Sequence, residues 1–390
     1  MKNTEYDFET VDRRNTDCVK WDYFDDELPM WVADMDFKVA PAISNAILKR
    51  ACHQVYGYTM VPDELFDAYI SWWDRKYDFV MSRRNMAYST GVMPSISSMI
   101  RCLTDEGDKI LIQSPVYHVF YYVIDDNNRK VLENPLVYEN GQYEIDFDDL
   151  DEKLSEVKMM ILCNPHNPIG KIWSKEDLTA IGRLCKKHDV VLISDEIHCD
   201  LTDPDCCYNP FEKSFEYANA VTCLSPSKSF NVAGFQSSIV HAKNTKLLEK
   251  IKTQLHVDNS DSCNVFAAKA VIAAYNESEE WLDELKKVLY DNKQIVKDYL
   301  ENKIPVLKLV ECEATYLLWI DCSELNINSK ELSDYLRENQ GLFLSAGIDF
   351  GKNGDNFLRM NIACPEKLLM EGLSKLSKGI NSLDGIDNEK

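Results

Sequence analysis

The stretch Lys175-Glu-Asp-Leu-Thr-Ala-Ile-Gly-Arg-Leu-Cys-Lys-Lys-His188-Asp-Val190-Val-Leu-Ile-Ser-Asp195-Glu-Ile-His198 decides the fold. Its first half places Leu178, Ile181 and Leu184–Cys185 at helical spacing, an amphipathic helix with one apolar face. Its second half, Val190–Ser194, is a near-continuous apolar run, the mark of a strand buried on both faces. A similar run, Met159–Cys163, precedes the helix, so the segment reads as strand, helix, strand.

The same alternation extends in both directions. Asp108–Gln113, Lys130–Asn134, Ala220–Leu224 and Ser237–His241 are further candidate strands, separated by helical patterns. This predicts an α/β fold: a three-layer αβα domain around a mainly parallel sheet, with ligands at the carboxyl ends of its strands. Beyond the long charged stretch Glu279–Asn302 the pattern changes. Val306–Glu311 and Tyr316–Asp321 read as strands and Ser329–Gln340 as a helix. That is a smaller α+β domain, which the N-terminal forty residues are expected to join. The expected division is 45–278 for the large domain, and 1–44 with 279–390 for the small one. The tail from Asn381 is expected to fray.

The chain of 390 residues is long enough for two domains, and its 45% hydrophobic content suits a globular protein. A net charge of −22 repels polyphosphate and anionic lipid, arguing against nucleic acid or membrane as the main partner. The acidic stretch Met1–Thr16 lacks the apolar region of a signal peptide. No run approaches the ~18 to 20 apolar residues that span a bilayer. A cytoplasmic protein with thirteen reduced cysteines is expected. They form no C-x-x-C pair, so no metal site is expected from them.

Polar motifs fall where the strands end. Ser225-Pro-Ser-Lys228-Ser-Phe-Asn follows the strand Ala220–Leu224 and offers an amine at the sheet edge. An exposed loop lysine is the alternative. Asp195, just after its strand, could hold a cationic nitrogen; it could also cap a helix, or bind a metal with Glu196 and His198. Ser89-Thr-Gly91-Val-Met-Pro94 leads from a strand through a glycine turn into a helix, whose free N–H groups suit a phosphate. Cys163-Asn-Pro-His-Asn167-Pro-Ile-Gly170 is a proline-fixed loop presenting an Asn amide. In Phe357-Leu-Arg359-Met-Asn-Ile, an Arg among apolar neighbours suits a carboxylate, from a ligand or from a structural salt bridge.

These five motifs, in this order, resemble the fold-type I, aminotransferase-class enzymes that use pyridoxal 5′-phosphate. The likeness spans about residues 20 to 375. It implies that Lys228 forms the Schiff base, that Asp195 pairs with the pyridine nitrogen and that Asn167 donates to the ring hydroxyl oxygen. Tyr117, in Ser-Pro-Val-Tyr, stacks on the ring. Gly91, Val92, Met93, Ser225 and Ser227 hold the phosphate side, Arg359 binds the substrate α-carboxylate, and Ala33 and Asn167 adjoin the substrate. Tyr58, in Tyr-Gly-Tyr, is similar to a tyrosine that reaches the neighbouring subunit's phosphate, implying a homodimer with shared sites.

Two departures refine the likeness. His198 stands where aminotransferases usually carry Tyr, and Gln236 where they carry a phosphate-binding Arg. With Pro29-Met-Trp31-Val-Ala-Asp-Met-Asp-Phe37, these resemble the MalY/PatB group of cystathionine β-lyases. The implied reaction is β-elimination from an L-cysteine S-conjugate, with Lys228 as general base. The rivals are an aminotransferase and a regulatory protein acting by partner contact.

Overall fold

A computed structural model describes residues 6–387 apart from residues 10 and 25. Seven strands form the main sheet: β1 Met86–Ser89, β2 Lys109–Ile112, β3 Lys130–Glu133, β4 Met159–Cys163, β5 Val191–Asp195, β6 Ala220–Leu224 and β7 Ser238–His241. Their spatial order is β1-β7-β6-β5-β4-β2-β3. Only β7 runs against its neighbours, β1 and β6; β3, β2, β4, β5 and β6 pair in parallel.

The apolar runs explain the layers. Successive strand residues face opposite ways, so a strand covered on both sides is apolar throughout. Ile110, Ile112, Ile161, Ile193 and Val221 point to one side, against Ile96, Met99 and Ile100 of helix α1 Val92–Leu103. Leu111, Met160, Leu162 and Leu192 point to the other, against Leu178, Ile181 and Cys185 of helix α2 Lys175–Lys187. Each such buried Leu or Ile contributes about 1.5–3 kcal/mol over an exposed one. A capping box between Ser174 and Asp177 starts α2. Gly182 lets α2 approach Phe215, for an added Cβ would lie 2.2 Å from that ring.

The second region is an antiparallel sheet of β8 Lys308–Leu309, β9 Leu317–Asp321, β10 Ser345–Ala346 and β11 Phe357–Asn361, in the order β8-β9-β11-β10. Helices α3 Glu279–Lys303, α4 Ser329–Gln340 and α5 Glu366–Asp387 accompany it. The strand expected over Val306–Glu311 contracts to two residues, because it is an edge with Lys308 exposed. The fraying expected from Asn381 is also corrected. Leu369, Leu373, Leu376 and Ile380 bury one face of α5, and the helix continues to Asp387. Residues 388–390 lie outside the described residues. Leu28–Pro29 pairs in parallel with Leu342–Phe343, tying the start of the chain to its C-terminal region.

Among the described residues no helix is long and apolar enough to cross a membrane. All thirteen cysteines are free thiols.

Candidate active site

Register brings the chemistry together. Cys163, Asp195 and Cys223 are partners across β4, β5 and β6, so the loops leaving these strands share one edge. A cavity of about 260 Å³ opens there. Ala33, Gly91, Val92, Met93, Tyr117, Asn167, Asp195, His198, Ser225, Ser227 and Lys228 all line it. Arg359 adjoins it through Asn167, whose Oδ1 accepts from the guanidinium at 3.1 Å. Tyr58 lies elsewhere and is fully exposed.

Lys228 is the half-buried amine of this cavity. Its Nζ donates to the Ala33 carbonyl at 2.6 Å, and the Tyr316 hydroxyl shares that acceptor at 3.0 Å. Burial pulls the lysine down to about 8, opposed by Asp34 and Asp195 and assisted by Arg359. Asp195 is 4% exposed, and its Oδ1 accepts from the Ile197 N–H at 3.1 Å. Burial raises it to about 7, with that N–H and Lys228 pulling the other way. A carboxylate so desolvated is stabilised by any cation set against it. His198 is pushed down to about 3, by burial and then by the positive Lys228 and Arg359, and is therefore neutral. Its ring stands edge-on to Tyr316, centroids 6.4 Å apart.

Arg359 is buried in β11 and lowered to about 10 by that burial. Its Nη2 donates to the Trp31 carbonyl at 2.8 Å, and its guanidinium lies over the Phe350 ring at 4.6 Å. It has no carboxylate in these contacts, and Nε has no partner, so the cation can still receive one. The metal reading of Asp195, Glu196 and His198 is not the arrangement found. Glu196 turns away from the cavity, its Oε1 accepting from Ser194 Oγ and the Phe211 N–H.

At the other end of the cavity, α1 starts at Gly91 with no side chain capping it. Ser225 Oγ donates to the Ser237 carbonyl at 2.7 Å and accepts from the Ser227 N–H, which commits its proton within the loop. Ser237 Oγ, by contrast, is buried without a partner, and Ser237 lines the cavity. Gln236, also lining it, has a left-handed backbone with φ 52°.

Ser237 and Tyr316 were not among the residues read from the sequence as site candidates. Ser237 was hidden because it directly precedes β7 and belongs to no motif. Tyr316 reaches Ala33 only through tertiary structure. The nonapeptide 29–37 proves to be a strap that reaches the cavity at Ala33. Asn361 Nδ2 donates to the carbonyls of Val32 and Asp34, and Asn231 Nδ2 to those of Met35 and Phe37.

The chain as a whole is similar to known proteins along nearly its full length. The chain is 36% identical to cystathionine beta-lyase PatB of Bacillus subtilis, over 95% of this chain and 98% of that one. It is 32% identical to protein MalY of Escherichia coli, over 97% and 100% of the two chains. The solved PLP-bound C-S lyase of Staphylococcus hominis superposes with a TM-score of 0.91 at 34% identity, covering 97% of this chain and 98% of that one. Residues 31–376, from the strap through the sheet edge to α5, match one family model, and the chain belongs to the aminotransferase class I and II family.

Proposed function

We propose that this chain is a pyridoxal 5′-phosphate-dependent carbon–sulfur β-lyase. It cleaves L-cystathionine or related L-cysteine S-conjugates to pyruvate, ammonia and a thiol. One observation carries the reading: a lysine that loses its proton near pH 8 and a desolvated carboxylate line one cavity at the ends of adjacent strands. The uncapped start of α1 and the unpartnered Ser237 hydroxyl suit a phosphate. Tyr117 and His198 are flat groups suited to a ring. Bound there, pyridoxal phosphate supplies a carbonyl for the substrate amine and a ring that draws electrons from Cα.

The residues then divide the work. Asp195 would pair with the ring nitrogen and keep its proton in place. Asn167, its Oδ1 committed to Arg359, has Nδ2 left to donate to the ring hydroxyl oxygen. Tyr117 stacks on the ring. The N–H groups of Val92 and Met93, with Gly91, Ser225, Ser227 and Ser237, hold the phosphate in place of the absent Arg at Gln236. Arg359 receives the substrate α-carboxylate as a fork.

Lys228, free as an amine once substrate is bound, would remove the proton from Cα. The Cβ–S bond breaks, and sulfur leaves with the electron pair and takes up a proton. One water is consumed as pyruvate and ammonia are released.

We read residues 45–278 as the large domain, and 1–44 with 279–390 as the small one. The pairing of Leu28 with Leu342 supports that division. Tyr58, exposed beside Tyr56 and Met60, is read as serving the phosphate of a second copy in a homodimer. The test of the activity is L-cystathionine supplied without any keto acid. Pyruvate and ammonia should appear together; product only on adding a keto acid would make the chain an aminotransferase instead.

A further inference from the structure

Five successive carbonyls of the strap, from Trp31 to Met35, each accept a hydrogen bond from a side chain. The third of them, Ala33, receives Lys228. Along this row lies a second set of charges. Arg13 grips Asp34 with both forks, at 3.0 and 2.7 Å, and reaches Asp36 at 2.7 Å and the Met35 carbonyl at 3.1 Å. Lys20 Nζ donates to Asp36 at 2.7 Å and lies 3.7 Å from Asp34. The Trp21 indole N–H adds a bond to Asp36 at 2.8 Å. Lys20 and Asp36 are buried, while Arg13 and Asp34 are about one-fifth exposed. Two carboxylates two residues apart are thus locked by two cations from an earlier segment. Nothing in binding an amino acid requires this ion cluster.

We infer that Arg13, Lys20, Asp34 and Asp36 are positioning residues for Lys228, fixing the strap segment whose Ala33 carbonyl receives its amine. The inference rests on the reading of Lys228 as the reactive amine. An acceptor held on only one side could drift, and small misplacements of a reacting group cost large factors in rate. The charges facing Lys228 are Asp34, Asp195 and Arg359, with neutral His198 and Tyr316 beside them. Of these carboxylates Asp34 supports the charged lysine most.

The test is a pH titration of the holoenzyme's cofactor absorbance, which follows protonation at the lysine nitrogen, alongside kcat and KM. Asp34→Asn should lower the midpoint by about 0.5–1 pH unit. It should cut kcat about tenfold with KM within about twofold. Asp34→Glu should restore most of both. Arg13→Gln should raise the midpoint, because Asp34 loses the cation that neutralises it. Arg13→Lys keeps the charge without the fork, so it should hold the midpoint while kcat stays low.

Midpoints equal to wild type in both Asp34→Asn and Arg13→Gln, or shifts of the same sign, overturn the inference. Where Asp34→Asn does not fold, the two Arg13 variants decide it alone. If borohydride reduction of the wild type tags a lysine other than Lys228, the functional reading itself falls, which is a separate outcome.

Discussion

Two lysines that line cavities, Lys228 at the sheet edge and Lys293 on α3, have opposite chemistry. Lys293 lines a larger cavity of about 650 Å³, yet its Nζ is held by both oxygens of Asp203 at 2.6 and 2.7 Å. Burial alone would lower it, but contacts with Cys312 and Asp203 outweigh burial and raise it. Lys228, the less enclosed of the two, meets only a neutral carbonyl directly, and desolvation takes it down to about 8. Burial therefore does not make a lysine reactive, and the larger cavity does not mark the site. The distinction is whether a carboxylate has been placed in contact with the amine.

The sharpest way to break this contrast is to remove each amine. Lys228→Ala should lower kcat for β-elimination by about 10³-fold or more, measured as pyruvate release. Lys293→Met should leave kcat within about threefold. It should instead cost about 3–5 kcal/mol in denaturant unfolding, because Asp203 is left without its cation.

The carboxylate side can be inverted next. Asp195→Asn should cut kcat about 10²- to 10³-fold, since an amide cannot hold the facing nitrogen protonated. The same change should stabilise the cofactor-free protein at pH 8 by roughly 1–3 kcal/mol and have little effect at pH 4. The sign follows from burial. It raises the folded pKa of Asp195 to about 7, above its unfolded value, so its contribution is present below about pH 4 and is lost as pH rises through 7. Melting temperatures of Asp195→Asn and wild type across that range check it. The region around Lys293 should have no such trade, for there charge and stability point the same way.

A smaller effect concerns recognition. Arg359→Lys should raise KM about 10- to 100-fold with less change in kcat, since the fork on a carboxylate is lost while the charge stays. The smallest is Ser237→Ala, expected to weaken cofactor binding about fivefold, read by titrating apoprotein absorbance, about one hydrogen bond's worth. An unchanged affinity would return the phosphate to Ser225.

The strands of the large sheet were legible because they are buried on both faces: runs such as Met159–Cys163 and Ala220–Leu224 admit few other readings. α4 was legible to the residue, from its apolar spacing between Asn328 and Gly341. Asp195, Asn167 and Lys228 stood out because each directly or nearly follows such a strand. Two-residue pairings such as Leu28–Pro29 with Leu342–Phe343 have no periodicity to read. The Asn231 and Asn361 clamps were equally silent. Each is a common residue whose meaning depends on a backbone some 200 to 330 positions away. The edge strand near Lys308 and the reach of α5 were misjudged because tertiary exposure, not composition, set their lengths.

The strap has one more consequence, for the order of synthesis. Residues 31–35 are made about 330 residues before two of the side chains that fasten them, Arg359 and Asn361. The nascent protein can build its parallel sheet long before it can complete the cover over Lys228. A product that stops before Asn361 therefore lacks two of the strap's fastenings above Lys228.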